Sequence, residues 1–169
     1  MYTLQAIEKR RSIRQFQDKT ISAQDINTLL KAAMLAPTAR NCQEWEFVVI
    51  KDRIVLNALK EAHPHAQMLS TADCAIAVCA DTKREWESGY WMGDCAAATQ
   101  NILLAATDMG IGSVWLGVYP NEERMKKIAE VLCLPENIKP FNIIALGYPA
   151  EEKGDVDRFD PKKVHYERW

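Results

Sequence analysis

The sequence of 169 residues has no excess of charge of either sign and no long apolar run. Its 21 Lys and Arg residues are balanced by 23 Asp and Glu residues, so the chain offers no broad positive field for duplex nucleic acid or for an anionic membrane surface. No apolar stretch approaches the roughly 20 residues of a transmembrane helix, and no basic segment followed by an apolar one opens the chain. We therefore expect no nucleic-acid partner, no membrane partner and a cytoplasmic location.

The sequence also lacks the patterns of several common functional sites. Its five cysteines are odd in number and form no C-x-x-C pair, which argues against a disulfide framework and suits a reducing compartment. His63 and His65 flank a proline, His165 lies far along the chain, and we expect no metal site. Neither G-x-S-x-G, nor G-x-x-x-x-G-K-[ST], nor a full G-x-G-x-x-G occurs, so a nucleophile elbow, a P-loop and a Rossmann crevice are not indicated.

No repeat, low-complexity tract or Gly/Ser linker divides the chain, and we predict a single domain over residues 1–169. Apolar spacing predicts a helix that begins after Ser22 and ends before Pro37, and further helices after Asp52 and Asn121. In the helix after Asp52 we expect Ile54, Val55 and Leu59 to face inward. Short apolar runs predict strands at 45–50, 74–80, 113–117 and 141–146.

Residues 94–110 form the most unusual segment, because small and apolar side chains occupy nearly every face of the predicted helix. A helix that is apolar all round must be buried all round, and a small domain has difficulty achieving this alone. We infer that a second chain covers part of this helix. Residues 151–169 are too polar for a core yet end on aromatic residues, which indicates a tail that wraps a surface, such as that of a partner subunit.

The first candidate site is the cationic stretch KRRSIRQF at residues 9–16. Arginine side chains with a serine hydroxyl suit a phosphate dianion, because guanidinium groups form paired, charge-assisted hydrogen bonds with it. Taken alone, a solvated charged helix end is the commoner explanation of such a run.

Two further stretches have the composition of a ligand site. In APTARNCQEWEF, residues 36–47, the amides of Asn41 and Gln43 suit the alternating donor and acceptor edge of a heterocycle, although a simple turn before a strand explains them as well. In GIGSVWLGVYP, residues 110–120, Gly117 would let a planar ligand approach the backbone closely. Aromatic residues Trp86, Tyr90 and Trp91 form either a substrate lid or ordinary packing.

Four motifs follow one another in order over nearly the whole chain: R-R-S-x-R, A-P-[ST]-A-x-N-x-Q-x-W, G-I-G-S-x-W-x-G after an Ala-rich helix, and G-Y-P. Together they resemble the nitroreductase family of flavoproteins. The resemblance implies an α+β fold with a mixed β-sheet flanked by helices, in an intertwined homodimer with FMN sites at the interface. It implies an FMN-dependent oxidoreductase that takes hydride from NAD(P)H onto flavin N5 and reduces nitroaromatic or quinone-type acceptors by a ping-pong mechanism.

The alternatives are a specialised relative, such as a dehalogenase, a flavin-fragmenting enzyme or a dehydrogenase, and a flavin-binding module without turnover. The resemblance implies no catalytic side chain, because the flavin carries the chemistry. Two residues depart from the family pattern: Glu44 stands where proline is frequent, and Thr38 stands where serine is commoner. The family's second lysine near the pyrimidine edge of the flavin has no clear counterpart.

The resemblance assigns three groups of cofactor-binding residues. Arg10, Arg11, Ser12 and Arg14 would bind the phosphate and ribityl end, with Arg158 as a last phosphate contact. Pro37, Thr38, Ala39 and Asn41 would come from the other subunit to line the isoalloxazine ring, with Gln67 as a further polar contact. Trp115, Leu116 and Gly117 would pass beside the reactive edge, where backbone N–H groups near Gly117 can reach N5.

Overall fold

The computed structural model describes residues 2–169, in which four helices cover the two faces of a four-stranded sheet and an N-terminal helix packs against one of them. The helices are α1 (Thr3–Lys9), α2 (Ala23–Met34), α3 (Arg53–Ala62), α4 (Tyr90–Asp108) and α5 (Glu122–Val131). The strands are β1 (Trp45–Ile50), β2 (Cys74–Asp81), β3 (Gly112–Gly117) and β4 (Ile138–Gly147). All four predicted strands are confirmed, and α1 is a helix that the sequence analysis did not predict.

The strands are ordered β1-β2-β4-β3, and each pair of neighbours is antiparallel. The α+β fold is therefore confirmed, while the expected mixed character of the sheet is nearly absent. Within residues 2–169 the parallel pairing is a single bridge between Ser12 and Ser113. Four residues later, Phe16 forms an isolated antiparallel bridge with Pro149.

Side chains alternate between the two faces of the central strands, as expected for strands buried on both sides. On one face, Ile76 and Val78 of β2 pack in a core with α2 and α4. On the other face, Ala75 and Ala77 pack in a second core with α3 and α5. The sheet is therefore the shared wall of two hydrophobic cores.

The predicted helix starts are confirmed by side-chain caps. The Ser22 hydroxyl accepts a hydrogen bond from the Asp25 N–H at 3.0 Å, and Asp52 and Asn121 cap α3 and α5 in the same way. The expectation that Ile54 faces inward is wrong, since its side chain is 80% exposed. Leu56 and Leu59 occupy the face of α3 toward the sheet, and a residue two positions before Leu56 points about 200° away from it.

Helix α4 is buried on one side only within this chain. Its buried side chains are those of Trp91, Cys95, Ala98, Thr99, Ile102, Leu103 and Ala106. On the opposite side Gly93 and Gln100 are exposed, and Ala97 and Leu104 are half-buried. The chain alone does not cover this apolar helix, and cover by a second chain stays a prediction.

Residues 148–154 run beside the N-terminal segment of the same chain. The Gln17 N–H donates to the Tyr148 carbonyl and the Ala150 N–H to the Gln15 carbonyl, both at 2.8 Å. Beyond this pairing, Phe159, Tyr166 and Trp169 expose most of their side chains. None of the helices in the described part of the chain is both long enough and apolar enough to cross a membrane.

Candidate functional site

A basic pocket of about 560 Å³ brings together the N-terminal cationic motif and the tail. Its lining residues are Arg10, Arg11, Ser12, Arg14, Lys153, Gly154, Asp155, Val156 and Arg158. Five of them are cationic and one is acidic. The structure thus places the four predicted phosphate residues of the N-terminal motif beside Arg158, 144 positions after Arg14 in the sequence. Lys153 is a member of this set that the sequence analysis missed.

The pocket exists because two distant segments pair beside strand β3. Helix α1 ends at Lys9, and the extended residues that follow lie along β3, where the Ile13 N–H donates to the Ser113 carbonyl at 3.0 Å. The Arg11 Nε donates to the Gly154 carbonyl at 2.8 Å and so joins the tail to this segment. Neither contact is visible as a local pattern in the sequence.

The arginines of the pocket differ in what they are free to bind. Arg11 Nη1 also donates to the carbonyls of Glu8 and Arg10, so this side chain holds the walls of the pocket together. In contrast, the side chains of Arg10, Arg14 and Arg158 form no ion pair or hydrogen bond within residues 2–169. Three guanidinium groups are therefore available to an anionic ligand in one pocket.

The predicted ring-edge residues lie on β3, an edge strand of the sheet. The Leu116 side chain is buried in the core with α3 and α5, so only its backbone is available to a ligand. Trp115 and Gly117 are half-buried, and a Cβ atom added to Gly117 would meet no atom within 4 Å. The space beside Gly117 is therefore open, in agreement with a close approach by a ligand.

The predicted ring-lining loop, residues 37–43, lies between α2 and β1 and does not line the basic pocket. Pro37 and Asn41 are exposed, and Thr38 and Ala39 are half-buried. Three of its residues that are not glycine have left-handed backbones, with φ of 48° at Arg40, 57° at Asn41 and 52° at Gln43. Such strain is held by surrounding contacts and is frequent at ligand sites.

Two side chains hold this strained loop. The Thr38 hydroxyl accepts a hydrogen bond from the Gln43 N–H at 3.1 Å, and the Asp94 carboxylate accepts one from the Ala39 N–H at 2.7 Å. Asp94 belongs to α4, so the long helix positions the loop. Sequence reasoning missed Asp94, because its partner lies 55 residues away.

Glu44, the departure from the family pattern, is a buried acid at the end of this loop. It is 1% exposed, and neither carboxyl oxygen has a hydrogen-bond partner. Burial, followed by the nearby Asp94 and Glu85 carboxylates, raises the pKa of Glu44. A proton on this acid removes the repulsion between the carboxylates and provides a donor that two ionised acids lack. Glu44 is thus an acid inside the protein.

The substitution Glu44→Gln is expected to change how stability depends on pH. Because the folded state raises the pKa of this acid above its ordinary 4.5, the folded state binds more protons than the unfolded state between the two values. The free energy of unfolding of the wild type therefore falls as pH rises through this window. Above it, Glu44→Gln should be more stable by about 1–3 kcal/mol, because the neutral amide avoids an unpaired buried charge beside Asp94.

Urea unfolding of the wild type and of Glu44→Gln at a series of pH values checks this expectation. The matched control is Glu136→Gln, which makes the same substitution at an exposed position. Parallel pH profiles for the wild type and Glu44→Gln would contradict our account of the buried acid.

The predicted aromatic lid is only partly at the surface. Trp86 and Tyr90 are both exposed, with ring centroids 5.2 Å apart, and the Arg40 guanidinium lies 4.3 Å above the Trp86 ring. Trp91 is not part of this surface: it is 8% exposed and packs edge-on against Tyr119 and Phe141. The reason is that Trp91 lies on the side of α4 that faces the sheet, so the packing explanation applies to this residue.

The remaining predicted contact, Gln67, is exposed at the start of a short 3-10 turn, Gln67–Ser70. Four residues earlier, His63 is buried and contacts Gly117, as does Arg124 at the start of α5. Both are absent from the predicted site. A larger cavity of about 780 Å³, lined by α5 and the start of β4, contains none of the predicted site residues. No cluster of potential metal ligands occurs within residues 2–169.

Comparison with known proteins identifies the family of this chain. The model of the nitroreductase family matches residues 7–85 and 60–148. The chain is 53% identical over 170 residues to a protein of Archaeoglobus fulgidus with the provisional name NADH dehydrogenase/NAD(P)H nitroreductase, and the match covers 98% of both chains.

Two solved structures have the same fold over almost their whole length. One, from Bacteroides thetaiotaomicron, has the same provisional name and is 42% identical, with a TM-score of 0.95 over 99% of this chain and 98% of that one. The other is an FMN-dependent nitroreductase from Clostridium difficile, which is 31% identical, with a TM-score of 0.92 over 98% and 99%. On this likeness in sequence and structure, the chain belongs to the nitroreductase family.

Proposed function

We propose that this protein is an FMN-dependent oxidoreductase that uses NAD(P)H to reduce nitroaromatic or quinone-type acceptors. The observation that carries the proposal is the basic pocket with three unpaired guanidinium groups, next to an open strand edge. From Ser113, which pairs with the pocket residue Ser12, to Gly117 is four residues along β3, roughly 13 Å. A phosphate in the pocket and a planar ring near Gly117 fit this separation. The relative named as an FMN-dependent nitroreductase supports the choice of FMN.

Different residues of the site bind different parts of the cofactor. Arg10, Arg14 and Arg158 bind the phosphate, and Ser12 adds a hydroxyl donor, while Arg11 and Lys153 contribute charge and shape. The backbone beside Trp115, Leu116 and Gly117 contacts the reactive edge of the ring. Residues of the strained loop, namely Pro37, Thr38, Ala39 and Asn41, line the ring of the partner subunit's cofactor, and Gln67 is a further polar contact.

The chemistry that FMN supplies when bound is the transfer of two electrons from NAD(P)H to an oxidised acceptor. The chain contributes binding, orientation and electrostatics, and no side-chain acid or base is required. Because the reductant and the acceptor use the same exposed face in turn, the kinetics are ping-pong.

An absorption spectrum of the purified protein, recorded without oxygen before and after NADH or NADPH is added, tests the function. Bands at about 370 and 450 nm, typical of an oxidised flavin, should appear and then bleach. A yellow protein that does not bleach would contradict the enzyme assignment and favour a flavin-binding module. A protein that stays colourless with added FMN would contradict the cofactor assignment.

The proposal includes a homodimer whose seam runs along α4. The side of α4 turned away from the sheet contains Gly93, Ala97 and Leu104, and the single chain does not cover it. Leu4 and Ile7 of α1, which also packs on α4, are exposed apolar residues in the single chain. An apolar face of this kind is typical of an obligate interface between identical chains.

The substitution Leu104→Glu is expected to convert the dimer into a monomer at micromolar concentration and to abolish stoichiometric FMN binding. A carboxylate at the centre of an apolar seam would lose its hydration without a partner. Sedimentation velocity measures the assembly state, and Leu104→Met, which conserves volume and apolarity, is the control. A folded wild-type monomer at micromolar concentration would contradict the seam.

The substitution Gly117→Ala is expected to weaken FMN binding by about 1–3 kcal/mol, the usual cost of inserting a methyl group into a close contact. The free energy of unfolding of the cofactor-free protein should not fall, since the new Cβ enters open space. Titration with FMN and urea unfolding separate these effects. Gly112→Ala should show the opposite pattern, because its Cβ would lie 2.9 Å from Ile13 and strain the fold itself.

The proposal also includes the domain organisation and the cellular location of the protein. We place residues 1–169 in a single domain, since both hydrophobic cores share one sheet. We place the protein in the cytoplasm, where its five cysteines would keep the free thiols that they have in the structure. Burial raises the pKa of the Cys74 and Cys79 thiols to about 12, which makes them unreactive core residues.

A further inference from the structure

The carbonyl oxygen of Gly117 accepts hydrogen bonds from two side chains of different elements. His63 Nε2, just after α3, lies 2.9 Å from this oxygen, and Arg124 Nη1, in the first turn of α5, lies 2.7 Å from it. A backbone carbonyl has two lone pairs, so these two donors saturate it. Gly117, the last residue of the edge strand β3, is thereby held by two side chains from outside the sheet.

The contacts of His63 determine which ring nitrogen carries the proton. The His65 N–H lies 3.2 Å from His63 Nδ1, so Nδ1 is an acceptor and Nε2 is the N–H that donates to Gly117. The residue is 1% exposed, and burial, helped by the nearby charge of Arg124, lowers the pKa of His63. The ring is therefore a neutral donor with one defined tautomer.

The direction of the Gly117 backbone follows from the pairing of β3. The Ser113 carbonyl points outward to the Ile13 N–H, whereas the Val118 N–H points inward to the Phe141 carbonyl. Since both backbone groups of a strand residue point to the same edge and alternate along the strand, Gly117 points outward. Its N–H and its carbonyl both lie on the open edge, away from β4.

We propose that His63 is a positioning residue which, together with Arg124, makes the open edge at Gly117 a pure hydrogen-bond donor toward the flavin ring. An unbonded carbonyl at this edge would present a competing negative dipole beside the ring. A glycine without neighbours would also rotate freely, and the two side chains remove that freedom. This inference rests on the proposed function, because it assigns the direction of the backbone group that meets the cofactor.

The proposal is tested with His63→Leu, which removes the donor, and His63→Gln, whose amide nitrogen can replace Nε2. The matched control is His65→Leu, because the backbone N–H that contacts His63 is retained. Arg124→Met removes the second donor and serves as the main variant if His63→Leu does not fold. For the kinetic measurement, each protein is saturated with FMN and the bound flavin is quantified. A loss of cofactor is then not mistaken for a loss of positioning.

Two readouts are measured. First, the order parameter of the Gly117 backbone N–H, measured by NMR relaxation on the cofactor-free protein, should fall from about 0.85 in wild type to below about 0.6 in His63→Leu and stay near the wild-type value in His63→Gln. Second, the rate constant for bleaching of bound FMN at saturating NAD(P)H should fall at least fivefold in His63→Leu, with partial recovery in His63→Gln. His65→Leu should match wild type in both.

A His63→Leu protein that binds FMN stoichiometrically, keeps the wild-type order parameter at Gly117 and bleaches at the wild-type rate would overturn the proposal. The same result with Arg124→Met would do so if His63→Leu is unfolded. Failure of the proposed function is a different outcome, since wild-type protein would then bind no FMN or would not bleach.

Discussion

Arg10→Ala and Arg14→Ala are each expected to weaken FMN binding by about 1.5–3 kcal/mol, the contribution of a hydrogen bond to a charged group. This corresponds to roughly a 10- to 150-fold increase in the dissociation constant. The physical reason is that both guanidinium groups line the basic pocket without a partner inside the protein. They are therefore available to a phosphate, and their removal leaves no internal bond broken. Titration of the cofactor-free protein with FMN, followed by fluorescence quenching, measures the effect.

The same structure provides the controls for this experiment. Lys126→Ala removes an equal charge outside the pocket and should leave FMN affinity unchanged. Arg11→Ala should lower both FMN affinity and the free energy of unfolding, because this side chain binds three backbone carbonyls. Wild-type affinity in both Arg10→Ala and Arg14→Ala would show that the phosphate binds elsewhere.

Phe16→Ala is expected to lower the free energy of unfolding by about 3–5 kcal/mol, the range for truncating a buried aromatic residue. The ring is buried against Gly147: a Cβ atom on that glycine would lie 2.7 Å from Phe16 Cδ1. Phe16 also pairs with Pro149, so it joins the N-terminal segment to the chain that follows β4. FMN affinity should fall as well, because both walls of the basic pocket continue from this junction.

Urea unfolding of the cofactor-free protein measures the loss of stability. Ile54→Ala is the control, since Ile54 is exposed on α3, on the face of the sheet opposite α4, and its truncation should cost less than about 0.5 kcal/mol. A loss below about 1 kcal/mol in Phe16→Ala would contradict the described packing. Unchanged FMN affinity in a destabilised Phe16→Ala would show that the pocket does not depend on this junction.

Local chemistry was sufficient to predict most of the secondary structure. Caps such as Ser22 and Asp52 mark helix starts, because a side-chain oxygen satisfies backbone N–H groups only a few residues away. Buried strands appear in the sequence as short apolar runs, because the side chains on both of their faces lie in a core. The error at Ile54 arose because composition indicates that an apolar residue prefers burial, while the phase of the helix against the sheet decides which residue is buried.

The order of the motifs also predicted the family and every cationic residue of the basic pocket except Lys153, because a resemblance to a family includes contacts between residues that are distant in sequence. Trp91 shows where this reasoning ends. Three neighbouring aromatic residues look alike in sequence, yet α4 turns Trp91 toward Phe141 and leaves Trp86 and Tyr90 at the surface. Successive side chains of a helix point about 100° apart, so residues that are neighbours in sequence can face different surroundings.

By itself, the sequence determined most of the helices and strands, though not α1, together with the balance of charge and the four motifs in order. Only the tertiary structure decided that Arg11 holds the pocket while Arg10 and Arg14 stay free, that Glu44 is a buried acid beside Asp94, and that His63 and Arg124 saturate the Gly117 carbonyl. The physical reason is range. Caps and periodicity act within a turn or two of the chain, whereas these contacts join residues that are brought together when both faces of the sheet are covered.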